Sequence, residues 1–526
     1  MNRHALDCIF RPDRIAVVGA SSNPEKFGYK IFKNILDAGF QGEIFPVNPR
    51  GEEILGRRSL RSVDELPEGV DLAVIIIPAK AVADAIMRCG KRGVKASIII
   101  TGGFSEAGRE GEIMQEEVLR NAREFGMRII GPNCQGVNYP YHNLCASWPL
   151  ITLRGDIAII SQSGTVGAAL IDWASQERLG FSAFVSMGNR VDVDESDLIE
   201  YFSHDDNTKV IALYIEGVKD AQKFIRVIRD CKKPIVILKS GRTERGIIAA
   251  ESHTKSLAGR DEVYDALFKQ FGIHRASNLE ELYDISKALA YVKKPAGPRM
   301  LIVTSSGGSG IIATDTAEES GFDVMPLPDE LKKQLKDMLP PHFIISNPLD
   351  LTGDADAGTY KKVIEVANPY YDIIAIIFGD PIENASSVVS KDRCELVIFL
   401  GGADVERREK ELMHLNRIAV FPTPERGIKA ASHHLQKGKK GTTPRIAAEK
   451  RGRLFSPYEA MKFLSERGIT TAKSIKANTL DEALSFSSSI GYPVVLKINS
   501  QSVSHKSDVG GVILDIRDDI GLRSAF

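Results

Sequence analysis

Residues 15–28 read IAVVGASSNPEKFG, an apolar strand pattern that runs into a glycine turn and then into a helix pattern. Further short apolar runs, each followed by a helix pattern, recur up to residue 130. Near-continuous apolar strands that alternate with helices are typical of a parallel sheet covered on both faces. The predicted strands of this first unit, residues 1–145, are Ile15–Val18, Glu43–Val47, Leu72–Ile77, Ser97–Ile100 and Arg128–Ile130.

Length and composition favour a multidomain α/β enzyme of the cytoplasm. With 526 residues the chain is too long for one core, and about three to four domains are expected. Lys and Arg number 68 against 69 Asp and Glu, so the net charge of -1 argues against nucleic acid or a membrane surface as partner. The six cysteines form no CxxC pair, which favours a reducing compartment and no structural zinc. Neither a signal peptide nor a membrane-spanning run of about 18 apolar residues is recognisable.

The turn at Gly19–Gly28 is a candidate anion site. A glycine turn that opens a helix presents free backbone N–H groups and the positive end of the helix dipole to a phosphate. Ser21 and Pro24 interrupt the G-x-G-x-x-G pattern of dinucleotide sites, and Asn48 stands where a NAD site has an acidic residue. The sequence therefore predicts a phosphate-bearing nucleotide other than NAD. The alternative is an ordinary turn without a ligand.

Other predicted strands of this unit also end in small or polar residues. These ends lie at Pro78, at residues 101–105 and at residues 131–136, which include Asn133 and Cys134. Because parallel strands share their carboxyl edge, where α/β proteins bind ligands, we expect one long ligand there.

A second α/β unit is predicted for residues 153–294, with strands Ile157–Ile160, Ala183–Val185, Val210–Ile215 and Pro234–Leu238. The first strand runs into Ser161-Gln162-Ser163-Gly164 and a helix, a second candidate phosphate cradle. The third ends at Glu216, which places a carboxylate at the same edge. Taken alone, Glu216 is equally compatible with a surface acid at a strand end.

His253 lies in residues 249–259, AAESHTKSLAG, which we interpret as a loop after the fourth strand. Imidazole is a good nucleophile near neutral pH, and its phosphoryl adduct passes the phosphate on easily. A nucleophile, a carboxylate and a helix N-terminus would then meet at one sheet edge. The alternative is a solvated loop histidine.

A third unit, residues 298–436, follows the linker Lys293–Pro298. Its first strand, Met300–Thr304, leads into Ser305–Gly310, where Gly307 and Gly308 form a further candidate phosphate cradle. Its other predicted strands are Ile373–Phe378, Leu396–Leu400 and Ile418–Phe421, and residues 346–353 form a polar loop. Residues 437–455 are basic and are interpreted as a linker.

The last predicted unit, residues 456–526, starts with Ser456 as helix cap and Glu459 three residues later. A strand pattern follows and ends at Lys497, and His505 lies among polar residues and glycines. Few residues follow His505, so we expect this unit to be only the first part of a domain.

From residue 1 to 526 the chain resembles the ADP-forming acyl-CoA synthetases, relatives of succinyl-CoA synthetase. The motifs that carry the resemblance are Ser161–Gly164, Glu251–Gly259, Ser346–Gly353 and Ser504–Gly511, together with the order of the units. The resemblance implies a Rossmann-like CoA-binding domain, two flavodoxin-like domains and an incomplete ATP-grasp portion. It also implies the reversible reaction of acyl-CoA, ADP and phosphate to acid, CoA and ATP.

The resemblance assigns roles to the candidate residues. His253 is phosphorylated by an acyl phosphate, Glu216 supports it, and His505 relays the phosphate to ADP. Ser161, Ser163, Gly164, Gly307 and Gly308 hold phosphate, and Lys497 contacts the nucleotide. CoA is expected along Gly19, Ser21, Lys26, Asn48, Pro78, Asn133 and Cys134. ATP or ADP would act with Mg²⁺, whose ligands are expected outside this chain, and no metal ligand is predicted within it.

Two departures from the family pattern matter. Lys255 stands at a usual Gly position and Glu251 at a usual small residue. Lys255 either disturbs the segment around His253 or stabilises the phosphate. Expected partners are a small-molecule acid, its acyl-CoA and phosphate, with a homodimer or a second chain that completes the ATP-grasp domain. Two alternatives stay open: a CoA- or acyl-CoA-binding protein that has lost nucleotide turnover by truncation, and, more weakly supported, a CoA sensor.

Overall fold

The computed structural model describes residues 4–254, 260–401, 403–436, 455–500 and 510–526, without the side chains of residues 250–254 and 403. The chain divides into two compact units, Met1–Gly441 and Thr442–Phe526, and each is described by itself.

The first sheet of the larger unit has the strand order β2-β1-β5-β6-β7, and all of its strands run parallel. A short antiparallel hairpin, β3 with β4, lies outside it. The elements are α1 (Asp7–Phe10), β1 (Arg14–Val18), α2 (Phe27–Asp37), β2 (Glu43–Val47), β3 (Glu53–Ile54), β4 (Arg57–Arg58), β5 (Leu72–Ile75), α3 (Ala79–Lys91), β6 (Ala96–Ile99), α4 (Arg109–Glu124) and β7 (Arg128–Ile130).

The second sheet has the order β14-β13-β12-β10-β11-β8-β9, in which only β8 and β9 are antiparallel to their neighbours among the described strands. The elements are β8 (Gly136–Tyr139), β9 (Leu144–Ser147), β10 (Arg154–Ser161), α5 (Gly164–Gln176), β11 (Phe181–Ser186), α6 (Glu195–His204), β12 (Val210–Ile215), α7 (Ala221–Asp230), β13 (Ile235–Lys239), α8 (Glu244–Thr254), α9 (Asp261–Phe271), β14 (His274–Ala276) and α10 (Leu279–Tyr291).

The third sheet has the order β16-β15-β17-β18-β19 and is parallel throughout. The elements are β15 (Met300–Thr304), α11 (Gly307–Glu319), α12 (Asp329–Met338), β16 (Leu349–Asp350), α13 (Ala357–Ala367), β17 (Ile373–Phe378), β18 (Glu395–Phe399), α14 (Ala403–Leu415), β19 (Val420–Phe421) and α15 (Pro424–Ser432).

The smaller unit contains an antiparallel strand pair and helices. Its elements are α16 (Pro457–Ser465), α17 (Leu480–Ile490), β20 (Val494–Lys497), β21 (Val512–Ile516) and α18 (Asp519–Ala525). Helix α16 begins with the predicted cap, because the Ser456 side chain accepts from the Glu459 N–H and the Glu459 carboxylate accepts from the Ser456 N–H.

The sheets of the larger unit share one winding order. If the parallel strands of each sheet are numbered in chain order, their spatial order is 2-1-3-4-5, the flavodoxin-like arrangement. In this arrangement the chain winds in opposite directions from the first strand, and ligands bind at the carboxyl end of that strand. The candidate turns after β1, β10 and β15 all lie at such a point.

Burial explains why the apolar runs predicted these strands. Strands β5, β13 and β17 are buried at every residue, as expected for parallel strands covered by helices on both faces. The predicted α/β class with parallel sheets is confirmed. In the described part of the chain, no helix is long and apolar enough to cross a bilayer.

Two details differ from the sequence predictions. The hairpin formed by β8 and β9 pairs with β11, so the end of the predicted first unit, residues 1–145, contributes strands to the second sheet. The backbone at residue 253 is not a loop tip: it lies in the last turn of α8. The reason for the helix is local, because Ala249, Ala250 and Glu251 are good helix formers.

Candidate functional site

The turn after β1 fits only glycine at position 19. Gly19 has a φ of 96°, and a Cβ atom there would lie 2.1 Å from the Ile76 carbonyl oxygen. A Cβ atom at Gly28, in the first turn of α2, would lie 2.0 Å from the Gly19 carbonyl oxygen. The two glycines therefore allow the N-terminus of α2 to approach the turn closely, next to the end of β5.

Asn48 and Ser21 hold this turn in shape. The Asn48 side-chain N–H donates to the Ala20 carbonyl over 2.8 Å, and the Gly19 N–H donates to Val47 over 3.0 Å. The Ser21 hydroxyl accepts from the Asn23 N–H over 3.1 Å. Lys26 is exposed beside the N-terminus of α2. An amide at position 48 thus serves the turn through its donor, which a carboxylate would lack.

Thr101 connects the other predicted residues of this edge. Its hydroxyl donates to the Ile77 carbonyl over 2.7 Å, next to the exposed Pro78, and its carbonyl accepts from the Asn133 N–H over 2.9 Å. Cys134 differs from the others because its thiol is buried and donates to Ile99. Burial raises the pKa of this thiol to about 12. The Cys134 side chain therefore packs inside the protein and is not exposed at the edge of the sheet.

The loop at residues 131–135 is locked to the loop that follows β11. The Asn189 N–H donates to the Pro132 carbonyl over 2.8 Å, and a Cβ atom at Gly188 would lie 2.1 Å from the same oxygen. The Asn189 side chain in turn donates to Glu106 over 2.6 Å and accepts from Asn133 over 3.3 Å. The edge of the first sheet is therefore continuous with the edge of the second.

The predicted cradle after β10 is a capped helix start. Ser163 caps α5 and accepts from the Val166 N–H, and the buried Ser161 hydroxyl donates to the Ser163 carbonyl over 2.5 Å. The N-terminus of α5 therefore keeps free N–H groups in its first turn, the arrangement that favours an anion.

Gln162 joins this helix start to Glu216. Its side-chain oxygen accepts from the backbone N–H groups of Glu216 and Gly217 over 2.7 and 3.3 Å. Its side-chain N–H donates to the Gly217 carbonyl over 2.8 Å. Gln162 and Glu216 are both buried, with 7% and 6% of their surface exposed. One side chain thus fixes the backbone that carries the carboxylate.

A buried ion pair supports the same segment from the other side. Arg190 donates to the Gly217 carbonyl over 2.9 Å and to Glu195 over 3.0 Å, and the Lys219 N–H donates to the second Glu195 oxygen over 3.1 Å. Glu195 is fully buried. Because Arg190 directly follows Asn189, the loop after β11 joins residues 131–135 to the Glu216 segment.

Charged and polar groups surround this edge. Lys239, at the end of β13, is buried, donates to the Ser240 carbonyl and lies 4.9 Å from the centre of the Tyr264 ring. Burial lowers the pKa of Lys239, and the carboxylates of Asp261 and, to a smaller extent, Glu216 oppose that shift. Burial raises the pKa of Tyr214, with Glu216 adding to the shift. The edge therefore combines a buried acid with a buried base.

The helix that carries residue 253 leaves this same edge. Strand β13 ends at Lys239, and α8 begins at Glu244. The side chain of His253 and the whole of Lys255 lie outside the described residues. The contact between His253 and Glu216 remains a prediction.

The third predicted phosphate cradle, Ser305–Gly310, also lies at a capped helix start, but the Asp350 carboxylate lies next to it. Ser306 caps α11. A Cβ atom at Gly307 would lie 2.9 Å from an oxygen of Asp350, whereas a Cβ atom at Gly308 would meet nothing within 4 Å. The first turn of α11 therefore faces a carboxylate of the chain itself. In the polar loop before β16, Asn347 accepts from the Ile302 N–H over 3.1 Å and so supports β15.

In the smaller unit Lys497 is exposed at the end of β20, and His505 lies outside the described residues. Within the described ranges no three His, Cys, Asp or Glu side chains are grouped as metal ligands.

Sequence reasoning missed the side chains that connect these edges. These are polar side chains in loops, and their hydrogen-bond partners lie 27 to 84 positions away in the chain: Gln135, Gln162, Asn189 and Arg190. A single amide or guanidinium side chain in a loop gives no periodic signal in the sequence. Only the fold shows which sheet edges it connects.

Family models match most of the chain in the predicted order. They describe a CoA binding domain at residues 13–140, a succinyl-CoA ligase like flavodoxin domain at 154–289, a ligase-CoA domain at 300–384 and an ATP-grasp domain at 446–526.

Similar proteins cover most of the chain. The alpha subunit of acetate–CoA ligase (ADP-forming) I from Pyrococcus furiosus is 43% identical over 447 residues, covering 81% of this chain and 96% of the relative. The acetate–CoA ligase (ADP-forming) I of Archaeoglobus fulgidus is 36% identical, covering 99% and 79%. A solved structure of acetyl-coenzyme A synthetase 1 from Ca. Korarchaeum cryptofilum, in complex with phosphate and ADP, is 38% identical with a TM-score of 0.77, covering 83% and 97%.

The order of the family models, the identity over most of the chain and the match of the fold agree with one another. They confirm the predicted resemblance, the use of CoA and of ATP or ADP, and an ADP-forming acid–CoA ligase. The chain therefore belongs to the family of ADP-forming acetate–CoA ligases.

Proposed function

We propose that the larger unit converts acyl-CoA and phosphate into a free acid, CoA and a phosphohistidine at His253. A phosphate oxygen attacks the thioester carbonyl carbon, the carbon–sulfur bond breaks, and CoA leaves as the thiol. An imidazole nitrogen of His253 then attacks phosphorus, and the phosphorus–oxygen bond breaks to release the carboxylate. ADP takes the phosphoryl group from a histidine in the last step, for which the family resemblance proposes His505 as relay.

The observation that carries this proposal is the hydrogen-bonded link from the N-terminus of α5 through Gln162 to Glu216. A helix N-terminus binds phosphate and stabilises the charge that develops during acyl transfer. A carboxylate fixed beside it can accept the N–H of one ring nitrogen, so that the other nitrogen attacks. The phosphate site and the orienting acid are therefore held as one rigid group.

We propose that CoA lies along the edge formed by Gly19, Ser21, Asn48, Pro78 and Asn133, with its phosphates near Lys26. The support is the tight turn at Gly19 together with an amide where NAD binding requires an acid. The locked loops at residues 131–135 and 187–191 continue this edge to the N-terminus of α5. A long ligand that starts at Gly19 can thus end at the phosphate site.

Nucleotide turnover involves further groups. We propose that ATP or ADP acts with Mg²⁺, since phosphoryl transfer between phosphates generally uses it. The described residues supply no grouped set of acidic ligands for the ion, so no step is assigned to it. We also propose an assembly of more than one chain, because relatives named as alpha subunits align with the larger part of this chain.

Radiolabelled phosphate tests the proposal. Incubation of the protein with acetyl-CoA and labelled phosphate is expected to give a covalent label that acid removes and base does not, as for phosphohistidine. Omission of acetyl-CoA is the control and should leave no label. A protein that binds CoA but takes up no label with any of a panel of short and aryl acyl-CoA thioesters contradicts the proposal.

A further inference from the structure

We propose that the Gln135 carboxamide is a substrate-contacting residue that aligns the end of the pantetheine arm of CoA with the phosphate site at α5. The inference rests on the proposed function and adds the residue that joins the CoA edge to the phosphate edge.

The backbone of Gln135 is fixed between the two sheets. Its N–H donates to the Ser186 hydroxyl over 2.9 Å, and Ser186 is the last residue of β11. The preceding Gly131 and Pro132 are held by Val191 and Asn189 through backbone hydrogen bonds of 3.1 and 2.8 Å. Gln135 therefore stands at the end of the loop that we assign to CoA, directly over the carboxyl edge of the second sheet.

The side chain of Gln135 lies on the first residue of α5. A Cβ atom at Gly164 would come within 2.6 Å of Cδ and Nε2 of Gln135 and within 2.7 Å of its Cγ. The backbone φ at Gly164 is not in the left-handed region, and the absence of a side chain there leaves the space that the Gln135 amide occupies. Gln135 thus covers the N-terminus that is proposed to hold phosphate.

One polar atom of this amide lacks a partner. Oε1 of Gln135 is buried and has no hydrogen-bond partner among the described residues. Buried polar atoms in folded proteins are nearly always paired, because an unpaired one loses its hydrogen bonds to water without compensation. An unpaired amide oxygen between two proposed ligand edges indicates a ligand group that donates a hydrogen bond.

The pantetheine arm of CoA supplies such a donor. Its last amide N–H lies two carbons from the sulfur, and this region of CoA must reach the phosphate site for the thioester to react. We assign Oε1 of Gln135 to that N–H. Holding the thioester in line with the attacking phosphate oxygen lowers the entropic part of the barrier to acyl transfer. No such contact is needed once the acyl phosphate has formed.

Two labelling reactions of the full chain separate these steps. In the first reaction, acetyl-CoA and labelled phosphate are added, and acyl transfer must occur before the histidine is phosphorylated. In the second, labelled acetyl phosphate is added without CoA, so the histidine is phosphorylated without acyl transfer. Gln135→Met keeps the volume over Gly164 but removes the amide. We expect it to slow the first reaction about tenfold, the scale of one hydrogen bond, and to leave the second within twofold. Gln41→Ala, a change at an exposed residue, is the control and should alter neither.

The outcomes are distinct. Equal slowing of both reactions by Gln135→Met, or slowing by Gln135→Ala alone, would assign the side chain to packing of α5 and overturn the inference. Unchanged rates in both variants would overturn it as well. Failure of the unmodified protein to take up label in either reaction would instead contradict the proposed function, because it does not depend on Gln135.

Discussion

The side-chain oxygen of Gln162 accepts a hydrogen bond of 2.7 Å from the backbone N–H of Glu216. The two residues follow neighbouring strands, β10 and β12, which pair in parallel with Ser161 opposite Tyr214. Through this bond, the turn that opens α5 and the turn that carries the acid move as one body. The proposed chemistry at the second sheet depends on that rigidity, since an orienting carboxylate must keep its distance from the phosphate site.

Replacing Gln162 tests this link. Gln162→Leu preserves the approximate volume but leaves the backbone N–H groups of Glu216 and Gly217 without their acceptor, so we expect about 1–3 kcal/mol lower free energy of unfolding. Labelling by acetyl-CoA and phosphate should slow about tenfold, because the Glu216 backbone loses the support on the side of α5 and keeps only that of Arg190 and Glu195. Gln176→Leu, at the exposed end of the same helix, is the matched control. Labelling of Gln162→Leu at the unmodified rate would show that this link does not matter for the reaction.

The ligand of the first sheet can be tested by calorimetry. We expect CoA to bind and NAD not to bind, because Asn48 occupies the position of the acid that holds the NAD ribose. Asn48→Asp removes the donor to the Ala20 carbonyl and adds a negative charge near the CoA phosphates. It should weaken CoA binding about tenfold or more. The exposed Asn416→Asp serves as control, and tighter binding of NAD than of CoA would contradict the assignment.

A buried histidine pair predicts how stability depends on pH. Nδ1 of His274 and Nδ1 of His433 lie 3.1 Å apart in the larger unit. Burial lowers the pKa of both imidazoles, and the neighbouring histidines lower it further, whereas the Glu281 carboxylate partly opposes the shift at His433. The unfolded chain then takes up protons below its ordinary histidine pKa of about 6.5 while the folded protein does not. The stability of the folded state is therefore full above that pH and decreases as the pH falls.

The expected size is about 1.4 kcal/mol for each neutral imidazole between pH 7.5 and pH 5.5. Denaturant unfolding at these two pH values measures it. His274→Gln should reduce the decrease in the free energy of unfolding by about that amount. His204→Gln, at an exposed position, should leave the decrease unchanged. A decrease of the same size in His274→Gln and in the unmodified protein would rule out this pair as its source.

The sequence predicted those elements whose signal is local. Strands Val210–Ile215 and Met300–Thr304 match the predicted ranges because a buried parallel strand is an uninterrupted apolar run. The helix start at Ser456 was likewise recognisable, since a cap is a pattern within four residues. Residue 253 was placed in a loop because small polar neighbours suggested one, while its backbone continues α8.

The relationships between edges could not be predicted in this way. Pairing of the hairpin Gly136–Ser147 with β11 depends on contacts far along the chain. The roles of Gln162 and Gln135 depend on which turns the fold brings together, and the approach of Asp350 to Gly307 depends on the pairing of β15 with β16. The composition of each turn indicated a candidate binding site. Which other segment contacts that turn is determined by tertiary structure and could not be predicted.

Mass-spectrometric mapping of the label tests directly whether His253 receives the phosphoryl group. Full-length protein, His253→Ala and the control His204→Ala would each be incubated with acetyl-CoA and labelled phosphate, and CoA binding would be measured in parallel. We expect a label on residue 253 in the unmodified protein and the control, no label in His253→Ala, and unchanged CoA binding in all three. Undiminished labelling of His253→Ala would contradict this role of His253 and place the phosphoryl acceptor elsewhere.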